Sequence, residues 1–204
     1  MKETTPPRLE LALKEHLAPY LREDGFSGSG RTFRRLRDGW VQVVGVQGSR
    51  YGGQFAINLG LQPLSGVHVL TGPSGAGKSL MVARLAQAAA LTHGCEKVMV
   101  ISFHDQRAGA WNQTQLLSAQ SGVDCFRATN ITMLKLLLEE HGQRKCVLID
   151  TPGVQMAERV AEIASICQEA QFHLVTPADA SQSMLRRLLS TPHIQWQSLM
   201  VSKL

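Results

Sequence analysis

Residues 67–91 read VHVLTGPSGAGKSLMVARLAQAAAL, and the middle of that stretch, Gly72–Ser79, has the form GxxxxGK(S/T). An apolar run precedes it and an apolar helical pattern follows. Glycines at this spacing let the backbone turn tightly, so that successive N–H groups point at one centre and can cradle phosphate oxygens. The helix that follows adds its positive N-terminal end. The amides of Gly72, Pro73, Ser74, Gly75, Ala76 and Gly77 form the loop, with proline contributing shape and no donor. Lys78 is placed to reach the β- and γ-phosphates of a nucleotide, and Ser79 to ligate Mg²⁺.

Working outward, short apolar runs VHVLT, VMVIS, DCFRA, CVLID, FHLVT and LMVS alternate with helical patterns at 78–91, 111–120, 131–140, 155–170 and 181–189. Strand alternating with helix at this pace predicts an α/β fold, a parallel sheet with helices on both faces. Asn130 is positioned to cap the third helix. In CVLIDTPG, Cys146–Gly153, the acidic residue ending an apolar strand is the second half of a nucleotide site. Asp150 can hold Mg²⁺ directly or through water, and the DxxG spacing puts the Gly153 N–H where it can sense a γ-phosphate. A phosphate loop leaves the reaction open. Its wording is shared with guanylate kinases, but residues 80–130 carry only Arg84, Arg107 and Arg127 and no tyrosine. That is too little for a monophosphate acceptor site, so a nucleotide kinase is a minority reading.

The chain changes character near residue 63. Leu9, Leu13, Leu17 and Leu21 mark an amphipathic helix, kinked or ended around Pro19. GFSGSG then breaks the chain, and Asp38-Gly39 is a hairpin turn signal between strand patterns. QFAINLGL adds another strand. The expectation is an α+β module, a helix on an antiparallel meander, over 1–63, followed by a nucleotide domain over 64–204. GF at 25–26, RTF at 31–33, VQVVGVQ at 41–47 and FAINLGL at 55–61 resemble a bacterial domain of unknown function, family 4304. The resemblance covers most of 9–62 and implies no chemistry. His16 and His68 lack metal-ligand spacing and receive no role.

A length of 204 residues suits one ordinary domain or a small domain plus a shortened larger one, and 44% apolar residues supply a core. No run approaches the roughly 18 apolar residues of a membrane span, and MKETTPPRLE lacks a secretory apolar segment. The expected compartment is the cytoplasm. Cys95, Cys125, Cys146 and Cys167 are too far apart for zinc or redox motifs and read as reduced, mostly buried thiols. The formal charge of +5 and the run RTFRRLR raise nucleic acid as a partner, but a charge run is usually a solvated face, and this reading is set aside.

With ISFHDQRAGAWNQTQLL, residues 101–117, the second domain resembles the signal-recognition-particle class of GTPases, most closely its flagellar FlhF branch. Members carry DTYRxGAxEQL after the second strand, DTAGR at the acidic strand end and TKxD near the end of the core. The resemblance spans 66–204. It implies GTP as ligand, Mg²⁺ as cofactor, a GTP-dependent homodimer, and a flagellar regulator ATPase and the membrane surface or cell pole as partners. Arg107 and Gln113 match catalytic-segment positions. The family aspartate falls on His104, with Asp105 one residue late, its glutamate on Asn112, and its DTAGR arginine on Val154. In an extended segment a one-residue shift sends a side chain to the opposite face, so Asp105 is a candidate but no automatic substitute. VSKL, Val201–Leu204, aligns with the start of TKxD and not with a peroxisomal address. It places Lys203 on the base side of the pocket, in a core that reads as cut short at that motif. A fusion, a fragment or a join near Leu64-Ser65-Gly66 would all look like this. Phosphate binding is expected intact and hydrolysis impaired. The expected function is a nucleotide-dependent switch in flagellar placement. The alternative is a degenerate, non-hydrolysing nucleotide-binding or interaction module.

Overall fold

The leucine repeat forms a helical stretch with an unexpected middle: α1 (Arg8–Ala12), a π-helical turn (Leu13–Leu17) and α2 (Ala18–Glu23). The computed structural model describes residues 8–37, 40–48, 55–63, 65–191 and 194–202. It divides into two compact units, Met1–Gln62 and Pro63–Leu204. In the first, Pro19 neither ends the helix nor leaves it regular. Proline has no N–H, and its ring crowds the carbonyl four residues back. The turn ahead of it widens instead, and the Ala18 N–H bonds the Leu13 carbonyl. The helix closes on Gly25 (φ 83), with Gly25 N–H on the Arg22 carbonyl at 3.1 Å and Phe26 N–H on that of Leu21 at 2.9 Å. This is a Schellman ending, which needs a left-handed residue at that point.

Strands β1 (Ser27–Ser29), β2 (Thr32–Arg37), β3 (Trp40–Gly48) and β4 (Phe55–Pro63) follow in a sheet ordered β1-β2-β3-β4. The pairs β1/β2 and β2/β3 are antiparallel. The core is Ala18, Leu21, Phe26, Phe33 and Val44. From the basic run, Arg35 is structural: it lies 4.5 Å over the Phe26 ring and 2.6 Å from the Asp24 carboxylate. The turn signal Asp38-Gly39 lies outside the described residues.

The second unit holds β5 (Gly66–Thr71), α3 (Lys78–His93), β6 (Val98–Phe103), α4 (Ala110–Ala119), β7 (Asp124–Ala128), α5 (Ile131–His141), β8 (Cys146–Asp150), α6 (Met156–Ile166), β9 (Gln171–Pro177), α7 (Gln182–Leu189) and β10 (Trp196–Ser202). The sheet is ordered β10-β9-β5-β8-β6-β7, with every pair parallel. It is an α/β phosphate-loop fold. One face buries Val67, Val69, Ile101, Phe103 and Ile149 against Leu134 of α5 and Val160 and Ile163 of α6. On the other side α3 buries Val82, Leu85, Ala86 and Ala89. Covering on both faces explains why β6 and β8 are buried along their whole length. Asn130 caps α5, accepting from the Met133 N–H at 2.9 Å. The helix expected over 155–170 stops at Ile166, where Cys167 turns extended. The cysteines are less uniform than expected: Cys146 and Cys167 are buried, Cys125 is intermediate and Cys95 is exposed.

β5 and β9 are neighbours whose onward connections leave in opposite directions, β5 toward β6 and β9 toward β10. In open α/β sheets the crevice at the carboxyl ends of such strands is where ligands bind. Gly72 leads out of β5 at that point.

Candidate nucleotide site

Gly72 must be glycine here. A Cβ would lie 2.0 Å from the Val175 carbonyl oxygen of β9, and its φ is +149°. The loop then turns into α3, and Lys78 folds back, its Nζ donating to the Gly72 and Pro73 carbonyls at 2.9 Å each. Burial lowers the Lys78 pKa, while the charge of Asp150 opposes the shift. Asp150 ends β8, paired in register with Leu70 of β5. Thr151 locks that junction, donating to the Leu70 carbonyl at 2.9 Å. Burial pushes the Asp150 carboxyl up to about 6, against the Ser79 hydroxyl and Lys78, which pull it down. Its Oδ1 is buried without a hydrogen-bond partner among the described residues. A buried carboxylate oxygen left open beside a serine hydroxyl is a hard-oxygen pair that fits Mg²⁺. Asp150 and Ser79 are the residues that would hold the ion.

Gly75, Gly77, Lys78, Ser79, Arg107 and Gln113 share one depression in front of the loop. The structure therefore gathers both matched catalytic-segment residues at the phosphate end. Ser74, His104, Asp105, Arg107, Gly153 and Val154 line a neighbouring cavity of about 320 Å³.

The geometry at 104–105 differs from the sequence expectation. The chain is not extended there: His104 sits at φ 55, its N–H bonded to the Ala128 carbonyl at 2.8 Å. A left-handed residue cancels the face alternation of a strand. Asp105 is consequently buried at the site, 8% exposed, and His104 and Asp105 line the same cavity. The Asp105 carboxylate is gripped by Arg107, whose backbone N–H (3.1 Å), Nε (2.9 Å) and a further terminal nitrogen all donate to it. Burial pushes the Asp105 pKa up, but these bonds and the Arg107 charge outweigh it and hold it below the ordinary carboxylate value.

Gly153 lies against the loop. A Cβ there would stand 2.2 Å from the Ser74 nitrogen and 2.6 Å from its Cα. Gly153→Ala should therefore force the two segments apart, at a cost of about 1–3 kcal/mol. Denaturant unfolding of the nucleotide-free chain checks this; unchanged stability would mean that the contact is not held in solution.

Three residues escaped the sequence reading. Ser202 donates to the Ala76 carbonyl of the loop, and to that of Thr176 at 3.3 Å; it ties the end of β10 to the phosphate loop. VSKL was the available signal, read only for Lys203, which lies outside the described residues. Gln155 (φ 52) and Arg159 line the 320 Å³ cavity. The buried Arg159 guanidinium is held by Gln155 Oε1 at 2.9 Å and by Glu162 at 2.8 Å. Nothing in the helical pattern AERVAEIA marked it.

Comparison with known proteins adds the family. The profile described as "Domain of unknown function (DUF4304)" matches residues 17–140. The chain belongs to that family. The match runs past the 9–62 expected from sequence, through the phosphate loop to the end of α5. In addition, 131 residues are 26% identical to flagellar biosynthesis protein FlhF of Pseudomonas aeruginosa, covering 62% of this chain and 30% of that protein. The chain thus spans under a third of this relative's length. Among solved structures, FlhF complexed with GTP/Mg(2+) superposes with a TM-score of 0.59 at 19% identity, over 69% of this chain and 56% of that one. The signal recognition particle 54 kDa protein from Aeropyrum pernix K1, in complex with GDP, does so with a TM-score of 0.55 at 22% identity, over 69% and 35%. The fold of the second unit is that of the signal-recognition-particle-type GTPases. No helix of the described residues is long and apolar enough to cross a membrane.

Proposed function

We propose that residues 64–204 form a GTP-binding domain of the signal-recognition-particle type that takes Mg²⁺·GTP and hydrolyses it slowly. The observation that carries this reading is the pair formed by Lys78, parked on two loop carbonyls, and Asp150, whose buried Oδ1 is left open. A bound triphosphate would replace the two carbonyls as the partner of Lys78, and Mg²⁺ would satisfy Asp150 and Ser79. The ion would supply charge neutralisation between the phosphates. Arg107 and Gln113 are the side chains in front of the loop.

Slow hydrolysis follows from what surrounds the γ-phosphate position. Asp105 is a carboxylate at the site, but Arg107 occupies both of its oxygens. His104 and Val154 bring neither a carboxylate nor a guanidinium. The same grip favours the second reading, a nucleotide-binding module without turnover. Single-turnover hydrolysis beside equilibrium binding separates the two. Slow cleavage of bound GTP is the expected result, efficient cleavage by the parent overturns the slow-GTPase reading, and binding with no cleavage establishes the second. His104→Asp should raise turnover with little change in affinity, because it restores a carboxylate that Arg107 does not hold. No gain would show that position 104 does not limit the reaction.

By likeness to FlhF, the nucleotide-bound form is proposed to dimerise at the cytoplasmic membrane surface or cell pole and to act with a regulator ATPase in flagellar placement and assembly. Deleting the gene in its host and counting flagella by position tests this role. Unchanged flagellation would remove it while leaving nucleotide binding untouched.

A further inference from the structure

The cavity of about 320 Å³ beside the phosphate loop has one wall that nucleotide binding leaves unused, formed by Arg159 of α6. We propose that this cavity is an orthophosphate site, which holds the γ-phosphate once it is cleaved from GTP and while GDP still fills the loop. The proposal rests on the nucleotide reading for the source of the ion, and on the cavity alone for its binding. Hydrolysis transfers the γ-phosphoryl group to water and yields GDP, orthophosphate and a proton. Arg107 borders both this cavity and the depression in front of the loop, so it is the side chain past which the phosphate moves from Lys78 to Arg159.

Two independent observations point to an anion. The first is the guanidinium itself. The Arg159 side chain is 10% exposed, and its Nε–H is buried without a hydrogen-bond partner among the described residues. Glu162 and Gln155 take the two terminal nitrogens and leave Nε. A buried donor without an acceptor is costly and rare in a folded protein, and the cavity is the space from which a ligand can reach it. The second is the start of α6. Gly153, Val154 and Gln155 line the cavity and lead directly into Met156. Gln155, the N-cap residue, makes no side-chain capping bond; its amide oxygen goes to Arg159 instead. A helix start of this kind presents N–H donors and the positive end of the dipole. A guanidinium so near that end is unfavourably placed, and an anion between the two offsets both charges. Asp105 is the one carboxylate of the described lining, and Arg107 holds it. A phosphate dianion has oxygens enough to accept from Nε–H and from the helix start together, in charge-assisted bonds that a neutral ligand cannot match.

The test is titration of the full chain with orthophosphate, followed by phosphorus NMR, in two states. In the parent saturated with Mg²⁺·GDP the loop is filled, and one further phosphate should bind. In Lys78→Ala without nucleotide the loop has lost its ammonium, and the same single site should remain. Adding Arg159→Gln should lower phosphate affinity at least tenfold in both states and leave GDP affinity within roughly twofold. A chain that does not bind GDP would refute the nucleotide reading, and the Lys78→Ala titration would still decide the cavity. Phosphate that binds only in the absence of GDP, full retention by Arg159→Gln, or an equal loss of GDP affinity in that variant would each overturn the proposal. So would the absence of saturable phosphate binding.

Discussion

Lys78→Ala should lower Mg²⁺-dependent triphosphate affinity ten- to a hundredfold. In the nucleotide-free chain the Lys78 ammonium satisfies itself on the Gly72 and Pro73 carbonyls, which are neutral acceptors. Exchanging them for phosphate oxygens replaces neutral acceptors by charged ones, so that both partners of the ammonium bond carry charge, and losing that contact is worth about 1.5–3 kcal/mol. That range corresponds to roughly one to two decades of affinity. Removing the side chain leaves the buried Gly72 carbonyl without this donor, so denaturant unfolding of the variant is measured alongside to separate lost affinity from lost stability. Equilibrium titration with a non-hydrolysable triphosphate, with and without Mg²⁺, reads the effect. Parent-like binding by the variant would refute the phosphate-loop assignment, because among the described residues no other lysine shares the depression in front of the loop.

The second unit was legible because its pattern is redundant. The inner strands β5, β6, β8 and β9 are runs of buried residues bounded by helical periodicity, and their both-face burial leaves no alternation to misread. The loop was legible for a different reason: glycines are required there sterically, as the approach of Gly72 to Val175 demonstrates. What escaped depended on single backbone angles or on tertiary neighbours. A left-handed histidine has no sequence signature, so the strand rule placed Asp105 on the wrong face. Pro19 announced a disturbance but not its form, since widening a turn and breaking a helix both relieve the same crowding. Arg159 and Ser202 acquire meaning only when β10 and α6 are brought to the loop by the sheet order. The extent of the family match had no local signal at all, because residues 63–140 look like a phosphate-loop core whatever precedes them.

Stability should fall on acidification, through a pair of histidines that the nucleotide site does not use. His68 of β5 and His173 of β9 are fully buried, with ring centroids 5.5 Å apart. His68 Nε2 lies 2.9 Å from the Ser65 carbonyl, and His173 Nδ1 lies 2.8 Å from the Ser198 hydroxyl. Burial lowers the pKa of His68 to about 4. Burial and the charge of His68 lower that of His173 to about 3. The folded chain therefore resists protons that the unfolded chain takes up near the ordinary value of 6.5, so stability is complete above about pH 7 and declines as the pH falls below 6.5. At pH 4.5 each histidine accounts for a loss of about 2.5 kcal/mol. Asp150 acts in the opposite direction: raised to about 6, it holds a proton that the unfolded chain has released, and it returns about 2 kcal/mol over the same interval. The net loss from these three groups is about 3 kcal/mol, a large part of the roughly 5–15 kcal/mol available to a domain. Urea unfolding at pH 7.5 and 4.5 measures it. His68→Leu removes one proton acceptor and the neighbour whose charge depresses His173, so it should flatten the pH dependence by half or more. An unchanged slope in that variant would assign the acid sensitivity to the carboxylates.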